Sequence, residues 1–540
     1  MELTNGTTRR AHVLMVCVPF PGHVAPFTQL LYHLSCHENL KVTVMGHKAR
    51  NAEMIKLYEK GEFKGLDIHF ETIFADPPVY PSDPKFPIRA ALCADQMFVE
   101  FEPIRRRLVA EKDNVGAPTS IICDMFLWFT KDAADEMGVP WYPFFSTSQW
   151  FGYCAYIGDE LARRNFHPHH SEEKDQRIDI TGLEFAYVHD IPSEVLEFPE
   201  FYAKVTDRSF RATGILCNTA YELEGSAGTL MATKALVQRS GKKNLKGEEA
   251  QIIPVGPIAQ IPGFGVQYSL RDQPYECLKW LNAHTEKSVL YIAFGSLGNI
   301  VPEVFHELAL GLEAGGVPFL WALKLTPAQK EELLPEGFLE RIQSSGMGFI
   351  ESGWAPQTQI LMHPAVGGFL SHCGWNSTLE SLCAGVPMIT WPLSADQPMN
   401  ARSAIPPNQM SKISAIVSSC HQIVPAVEFP DFPSLYAQSR ERLYEPLIGG
   451  LSNANDIPPL CRFLVDVKKV AVTVLSGSAD ESVVTHDDIS KAIKRLFGDE
   501  EGKQIAKNSL ELKKLLASLV AEGGSTYKAL RYFIQDLVMV

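Results

Sequence analysis

The run "FLSHCGWNSTLESLCAG", residues 369–385, places His372, Trp375, Asn376, Ser377 and Glu380 where a strand-like apolar stretch gives way to a helix-like one. A helix N-terminus presents unpaired N–H groups and a partial positive charge, so a phosphate fits there. Each such dipole contact contributes only ~0.3–2 kcal/mol, so side-chain donors must help. His372, Asn376 and Ser377 can supply them. A competing reading needs no ligand: Ser377 and Glu380 have the Ser-x-x-Glu spacing of a capping box, and Gly385 suits a helix C-cap. The run contains neither Gly-x-Gly-x-x-Gly nor Gly-Lys-Ser/Thr, so neither a dinucleotide fingerprint nor a triphosphate loop is indicated. A second constellation lies far upstream. His23 stands in "PFPGHVAPF", just after the first apolar run, and Asp124 closes "SIICD". A His backed by a carboxylate is fixed in tautomer and raised in basicity, as a general base requires.

The elements that must position these groups alternate. "HVLMVCV" (12–18) is followed by a helix-period stretch with Phe27, Leu30, Leu31 and Leu34; "KVTVMG" (41–46), "SIICD" (120–124) and "VPWYPFF" (139–145) are further strand candidates. A second series runs "SVLYIAFGS" (288–296), "VPFLWAL", "MGFIESGW", "GGFLSH" and "PMITWP". Between them, about residues 254–287, the chain opens "PVGPIAQIPGFG", rich in Pro and Gly as a linker is. The expected class is α/β: two Rossmann-like, doubly wound domains facing across a cleft, with sites at the carboxyl ends of strands. The expected boundaries are 1–253, a linker 254–287, a second domain 288–515, and a C-terminal helix 516–540 returning to the first domain.

The 44 residues "WAPQTQILMHPAVGGFLSHCGWNSTLESLCAGVPMITWPLSADQ" (354–397) resemble, without a gap, the signature box of plant-type family 1 UDP-sugar glycosyltransferases. "PFPGHVAPF", "NTAYELE" (218–224) and "AFGSLG" (293–298) fall in that family's order. The resemblance implies a GT-B fold. It also implies that Trp354 stacks on uracil, that Ala355 backbone groups read its edge, and that Gln357 and Glu380 hold the ribose hydroxyls. Ser296, His372, Asn376 and Ser377 would hold the diphosphate, and Trp375, Asp396 and Gln397 would contact the sugar. Ser146 stands where the family often has a Thr at the sugar's 6-hydroxyl. His23 would be the general base and Asp124 its orienter. Phe20, Phe126, Phe145 and Trp150 are candidates to line an acceptor pocket, each also readable as core. The expected reaction is inverting, metal-independent transfer of glucose from UDP-glucose to a small hydrophobic alcohol. "DMFLWFTKDAADEMGVPW" (124–141) and "EAGGVPFLWALK" (313–324) are similar to flavonoid glucosyltransferases.

Composition narrows the rest. Among 540 residues, 46% are apolar and the net charge is -14, which argues against a phosphate-backbone partner. The eleven cysteines are scattered, with no Cys-x-x-Cys, as expected of reduced thiols in the cytoplasm. No signal-like apolar core and no membrane-length apolar run is found, so no membrane span is expected. No Asp-x-Asp occurs, and no metal or other cofactor is expected. The cluster "HPHH" (167–170) reads as surface histidines, because no carboxylate or Cys keeps ligand spacing with it. The expected assembly is a monomer.

One segment breaks the pattern. Residues 403–462 hold eight of the chain's 36 prolines and show no sustained strand or helix period. Deleting them would join "DQPMNAR" to "FLVDVKKVAVTVLSG" and restore the family's order. Their edges can be encoded as splice-site sequences, so a translated retained intron and a genuine surface insertion are both open. An interruption five residues after Gln397 could disable the sugar site, which leaves a catalytically silent UDP-sugar or small-molecule binding protein as the alternative to an active transferase.

Overall fold

The computed structural model describes residues 10–37, 39–59, 67–74, 86–166, 176–183, 186–225, 229–258, 275–295, 302–393, 395–403, 484–498 and 500–539. Ser296, the "HPHH" cluster and all but the first residue of 403–462 lie outside the described residues.

Among the described residues twelve strands form two sheets. The first comprises β1 (Ala11–Val16), β2 (Leu40–His47), β3 (Ile68–Phe74), β4 (Ser120–Asp124), β5 (Trp141–Phe145), β6 (Gly214–Cys217) and β7 (Gln251–Pro254). Their spatial order is β3-β2-β1-β4-β5-β6-β7, and every pairing is parallel. The second comprises β8 (Val289–Ala293), β9 (Phe319–Ala322), β10 (Gly348–Glu351), β11 (Val366–Ser371) and β12 (Met388–Thr390). It is also parallel throughout, in the order β10-β9-β8-β11-β12. Strands such as β1 and β4 are buried at every position, because helices cover both faces of a parallel sheet. Each sheet separates two apolar clusters accordingly.

Both sheets reverse their strand order at one place. In the first it lies between β1 and β4, and in the second between β8 and β11. Crevices open there at the carboxyl ends, since the connections on either side run in opposite directions. His23 follows β1 and Asp124 ends β4; His372 follows β11. The groups singled out for their chemistry therefore stand at the two switch points.

The chain closes on itself. Leu512, Leu516 and Leu519, on the helix Glu500–Val520, pack in the second domain. The last helix, Ser525–Val538, instead places Leu530, Phe533, Ile534 and Leu537 in the first domain's core. Phe533 meets Tyr142 of β5 edge-on at 5.0 Å between ring centres. The crossing is made at Gly523 (φ +85°) and Gly524, where a Cβ would lie 2.1 Å from the Leu519 carbonyl oxygen. Leu516 and Leu519 still pack in the second domain, so the crossing comes later than the boundary at 516 expected from sequence.

Candidate active site

His23 sits in the first turn of the helix Pro21–Ser35, which Pro21 opens at a position where its missing N–H costs nothing. Its Nδ1 is 2.7 Å from Asp124 Oδ2, and the two residues are only 6% and 0% exposed. Asp124 is held in turn: its Oδ1 accepts the Phe126 N–H at 3.0 Å. Ser146 Oγ lies 3.1 Å from the same His23 nitrogen. With Nδ1 engaged on this side, Nε2 is left as the ring nitrogen available to a substrate. Phe20 and Phe126 flank the imidazole, with ring centres 6.0 and 5.1 Å away.

The facing domain contributes a helix N-terminus. The helix Trp375–Ala384 begins after Gly374 with no side-chain cap, so the N–H groups of Trp375, Asn376 and Ser377 have no intrahelical partner. This corrects the capping-box expectation. The helix starts two residues before Ser377, whose hydroxyl accepts instead from Gln357 Nε2 at 2.9 Å. The same Nε2 donates to Glu380 Oε2 at 2.8 Å, and Tyr291 donates its hydroxyl to Gln357 Oε1 at 3.3 Å. Burial pushes the Glu380 carboxyl up to about 7, with the Gln357 bond opposing. Beside this helix His372 is held neutral, its pKa lowered to about 4 by burial against the pull of the Ala293 carbonyl. Gly374 and Gly295 (φ +74°) flank its Nε2, and a Cβ on either would fall 2.5 or 2.6 Å from that nitrogen. The glycines keep that side of the ring open.

Trp354 is 55% exposed, with the Lys324 ammonium 5.2 Å from its ring centre. The Ala355 carbonyl already accepts the Gln357 N–H at 2.9 Å. Asp396 accepts from Asn400 Nδ2 at 2.8 Å, and its pKa is raised to about 6 by burial, with Asn400 and His23 opposing. Gln397 Oε1 accepts the Leu393 N–H at 2.7 Å, which closes the loop it follows.

The dyad of the first domain lies beside the uncapped N-terminus of Trp375–Ala384 in the second, where Asn376 reaches the Gly22 carbonyl. Residues 259–427 match the family described as UDP-glucoronosyl and UDP-glucosyl transferase. UDP-glycosyltransferase 85A2 of Arabidopsis thaliana is 32% identical over 423 residues, 73% of this chain and 83% of that protein. The chain belongs to the plant family 1 UDP-glycosyltransferases. It is an enzyme of glycosyl transfer. Anthocyanin 3'-O-beta-glucosyltransferase of Gentiana triflora is 27% identical over 543 residues, 96% of each chain. The solved structure of a UDP-glucose: anthocyanidin 3-O-glucosyltransferase in complex with UDP matches with a TM-score of 0.71 at 23% identity, covering 99% of this chain and 100% of that one. The two facing parallel sheets are the GT-B fold.

In this glycosyltransferase two sequence expectations need correction. Phe145 and Trp150 are 0% and 1% exposed in the first domain's core, as Phe126 is at 2% and Phe20 at 8%, and of the four it is Phe20 and Phe126 that have a ring contact with His23. Phe145 points from β5 onto the following helix, packing against Gly152 and Tyr156, while its neighbour Phe144 points to the opposite face, against Phe27. The Trp375 indole is likewise buried, and its N–H donates to the Asn218 carbonyl at 2.8 Å, so only the backbone N–H of Trp375 is left towards the cleft. Sequence reading missed Gly295 and Gly374 as the walls beside His372, and it gave Asn218 no role. "NTAYELE" marked the place, but the bond that matters runs through its backbone. Among the described residues no helix is long and apolar enough to cross a membrane.

Proposed function

We propose that the enzyme transfers glucose from UDP-glucose to a hydroxyl of a small hydrophobic acceptor, a flavonoid, phenolic or terpenoid alcohol, with His23 as general base. The observation that carries this is the buried His23–Asp124 pair at 2.7 Å, with Nε2 left over beside Phe20 and Phe126. Asp124 holds the ring in the tautomer that carries its proton on Nδ1. The acceptor hydroxyl gives its proton to Nε2 as its oxygen bonds to the anomeric carbon. The bond from that carbon to the diphosphate oxygen breaks, and its electron pair leaves with UDP on the opposite face. The configuration is thereby inverted. The developing charge on the diphosphate falls at the N-terminus of Trp375–Ala384, where fixed backbone N–H groups donate without reorganising.

Exposed Trp354 suits stacking on uracil, and Glu380 with Gln357 suits a ribose diol. Gln397 leans the donor towards glucose, as does the name of the Gentiana relative. No metal enters this scheme, and a cytoplasmic monomer is part of the same reading. The assembled dyad speaks against a silent binding protein. That residues 403–462 are a translated retained intron is a proposal of the same standing; an abundant mRNA encoding them would sink it.

The test measures UDP release from UDP-glucose with a panel of flavonoids, simple phenols and terpenols, using chains with and without 403–462. Release with at least one phenolic class is expected. No release from either chain across the panel would overturn the proposed donor and acceptor.

A further inference from the structure

Trp375 and Asn376 open the helix at the donor site, and both side chains reach out of their own domain. Trp375 Nε1 donates to the Asn218 carbonyl at 2.8 Å in a buried setting. Asn376 Nδ2 donates to the Gly22 carbonyl at 2.6 Å in an exposed one. Gly22 immediately precedes His23, so the donor helix is tied to the acceptor domain at two points beside the base.

Asn218 is a junction. Its N–H donates to the Phe145 carbonyl at 3.0 Å, at the end of β5, and its Oδ1 accepts the Ile258 N–H at 3.1 Å, where the chain leaves for the second domain. Gly256 packs so closely on it that a Cβ there would lie 2.5 Å from the Asn218 carbonyl carbon. The last helix adds Thr526 Oγ1 donating to the Gly256 carbonyl at 2.7 Å. The residue after Phe145 is Ser146, whose Oγ touches His23 Nδ1 at 3.1 Å. A continuous path therefore joins Trp375 to His23 through Asn218, Phe145 and Ser146, and every residue on it is buried.

We propose that Trp375, through the Asn218 carbonyl, is a positioning residue that fixes the separation between the diphosphate end of the donor site and His23. The proposal rests on His23 being the general base. Transfer needs the acceptor oxygen in line with the anomeric carbon, and a misplacement of about 1 Å can cost roughly 10²-fold in rate. Removing the indole N–H leaves a buried carbonyl without its donor, which the cleft relieves by shifting or admitting water.

Trp375→Phe removes the N–H and keeps an aromatic ring in the core. In the full chain kcat is expected to fall roughly 10- to 100-fold, while the KM for UDP-glucose and the Kd for UDP stay within about threefold, since Trp354 and Glu380 are untouched. A Trp that only filled space would lower the melting temperature and leave kcat alone. Hydrogen–deuterium exchange over residues 217–219, which needs no turnover, should quicken in the same variant. Should Trp375→Phe not fold, Trp375→Leu carries the comparison: it too lacks the N–H that reaches the Asn218 carbonyl, and kcat should again fall with KM held. Unchanged kcat in either folded variant, or unchanged exchange over 217–219 in folded Trp375→Phe, overturns the proposal. If the wild-type chain itself shows no turnover, the transfer reading fails separately, and exchange in the two variants decides whether the junction exists.

Discussion

The proposed reaction divides its work between the His23–Asp124 pair and the 354–397 box, and the fold holds the two in opposite ways. The pair is buried, and each partner is locked by a neighbour, with Phe126 N–H on Asp124 and Ser146 on His23. It is complete without a ligand. The box is half open. Trp354 exposes one of the largest apolar side chains on the described surface, and Gln357, Ser377 and Glu380 satisfy one another where a ribose would bind. A base must be pre-set to a fraction of an ångström, whereas a binding surface can exchange its internal bonds for those of its ligand. On the proposed function, the fixed contacts fall where atoms would react, and the exchangeable ones where the donor would bind.

The sharpest way to break this contrast is His23→Ala. It should lower kcat by about 10²–10⁴-fold, the usual worth of general-base catalysis, with the Kd for UDP nearly unchanged by calorimetry. Lost UDP binding would mean that the two halves are not separable. The converse variant, Trp354→Ala, should weaken UDP by about 5- to 150-fold, from ~1–3 kcal/mol of base stacking, and leave kcat at saturating donor close to wild type. A fall in kcat alone would contradict its place in binding.

The smallest effect is a pH dependence. The Glu380 carboxyl, raised to about 7 in the folded chain from an ordinary 4.5, is protonated below that pH, and it accepts a diol best when ionised. UDP affinity should therefore decline as pH falls through 7, by no more than about tenfold per unit for one proton. Glu380→Gln should flatten the profile between pH 5 and 8, and a slope that persists there would assign the proton to another group. Stability runs the other way. The unfolded chain releases this proton near 4.5 and the folded chain near 7, so the carboxyl's contribution is fully present below 4.5 and is lost as pH rises through 7.

Much of the fold is legible in residue order. "SIICD" is β4 to the residue, and the buried strands of both sheets stand out as short apolar runs between turn residues. β6 and β7 were not singled out, and it is their pairing with β5 and with each other that places them in the sheet. β3, "IHFETIF", mixes polar and apolar groups and was not singled out, yet it pairs with β2 as the edge of the first sheet.

For the candidate site, residue types and local order single out His23, Asp124 and the run 354–397, which stand at strand ends in the structure. Which groups meet was decided only by tertiary structure. Ser146 comes to His23 from 123 residues away, and the Trp375 indole to Asn218 from 157. Strand order determines those encounters, because the sheet that places β1 beside β4 and β5 beside β6 is built from pairings distant in sequence. Ser377 shows the same limit at short range: its spacing to Glu380 fits a cap, but the helix begins at Trp375, after a Gly374 that the His372 ring leaves no room to enlarge. Sequence determined which groups are candidates for the reaction; packing around them decided which of their atoms are left open at the cleft.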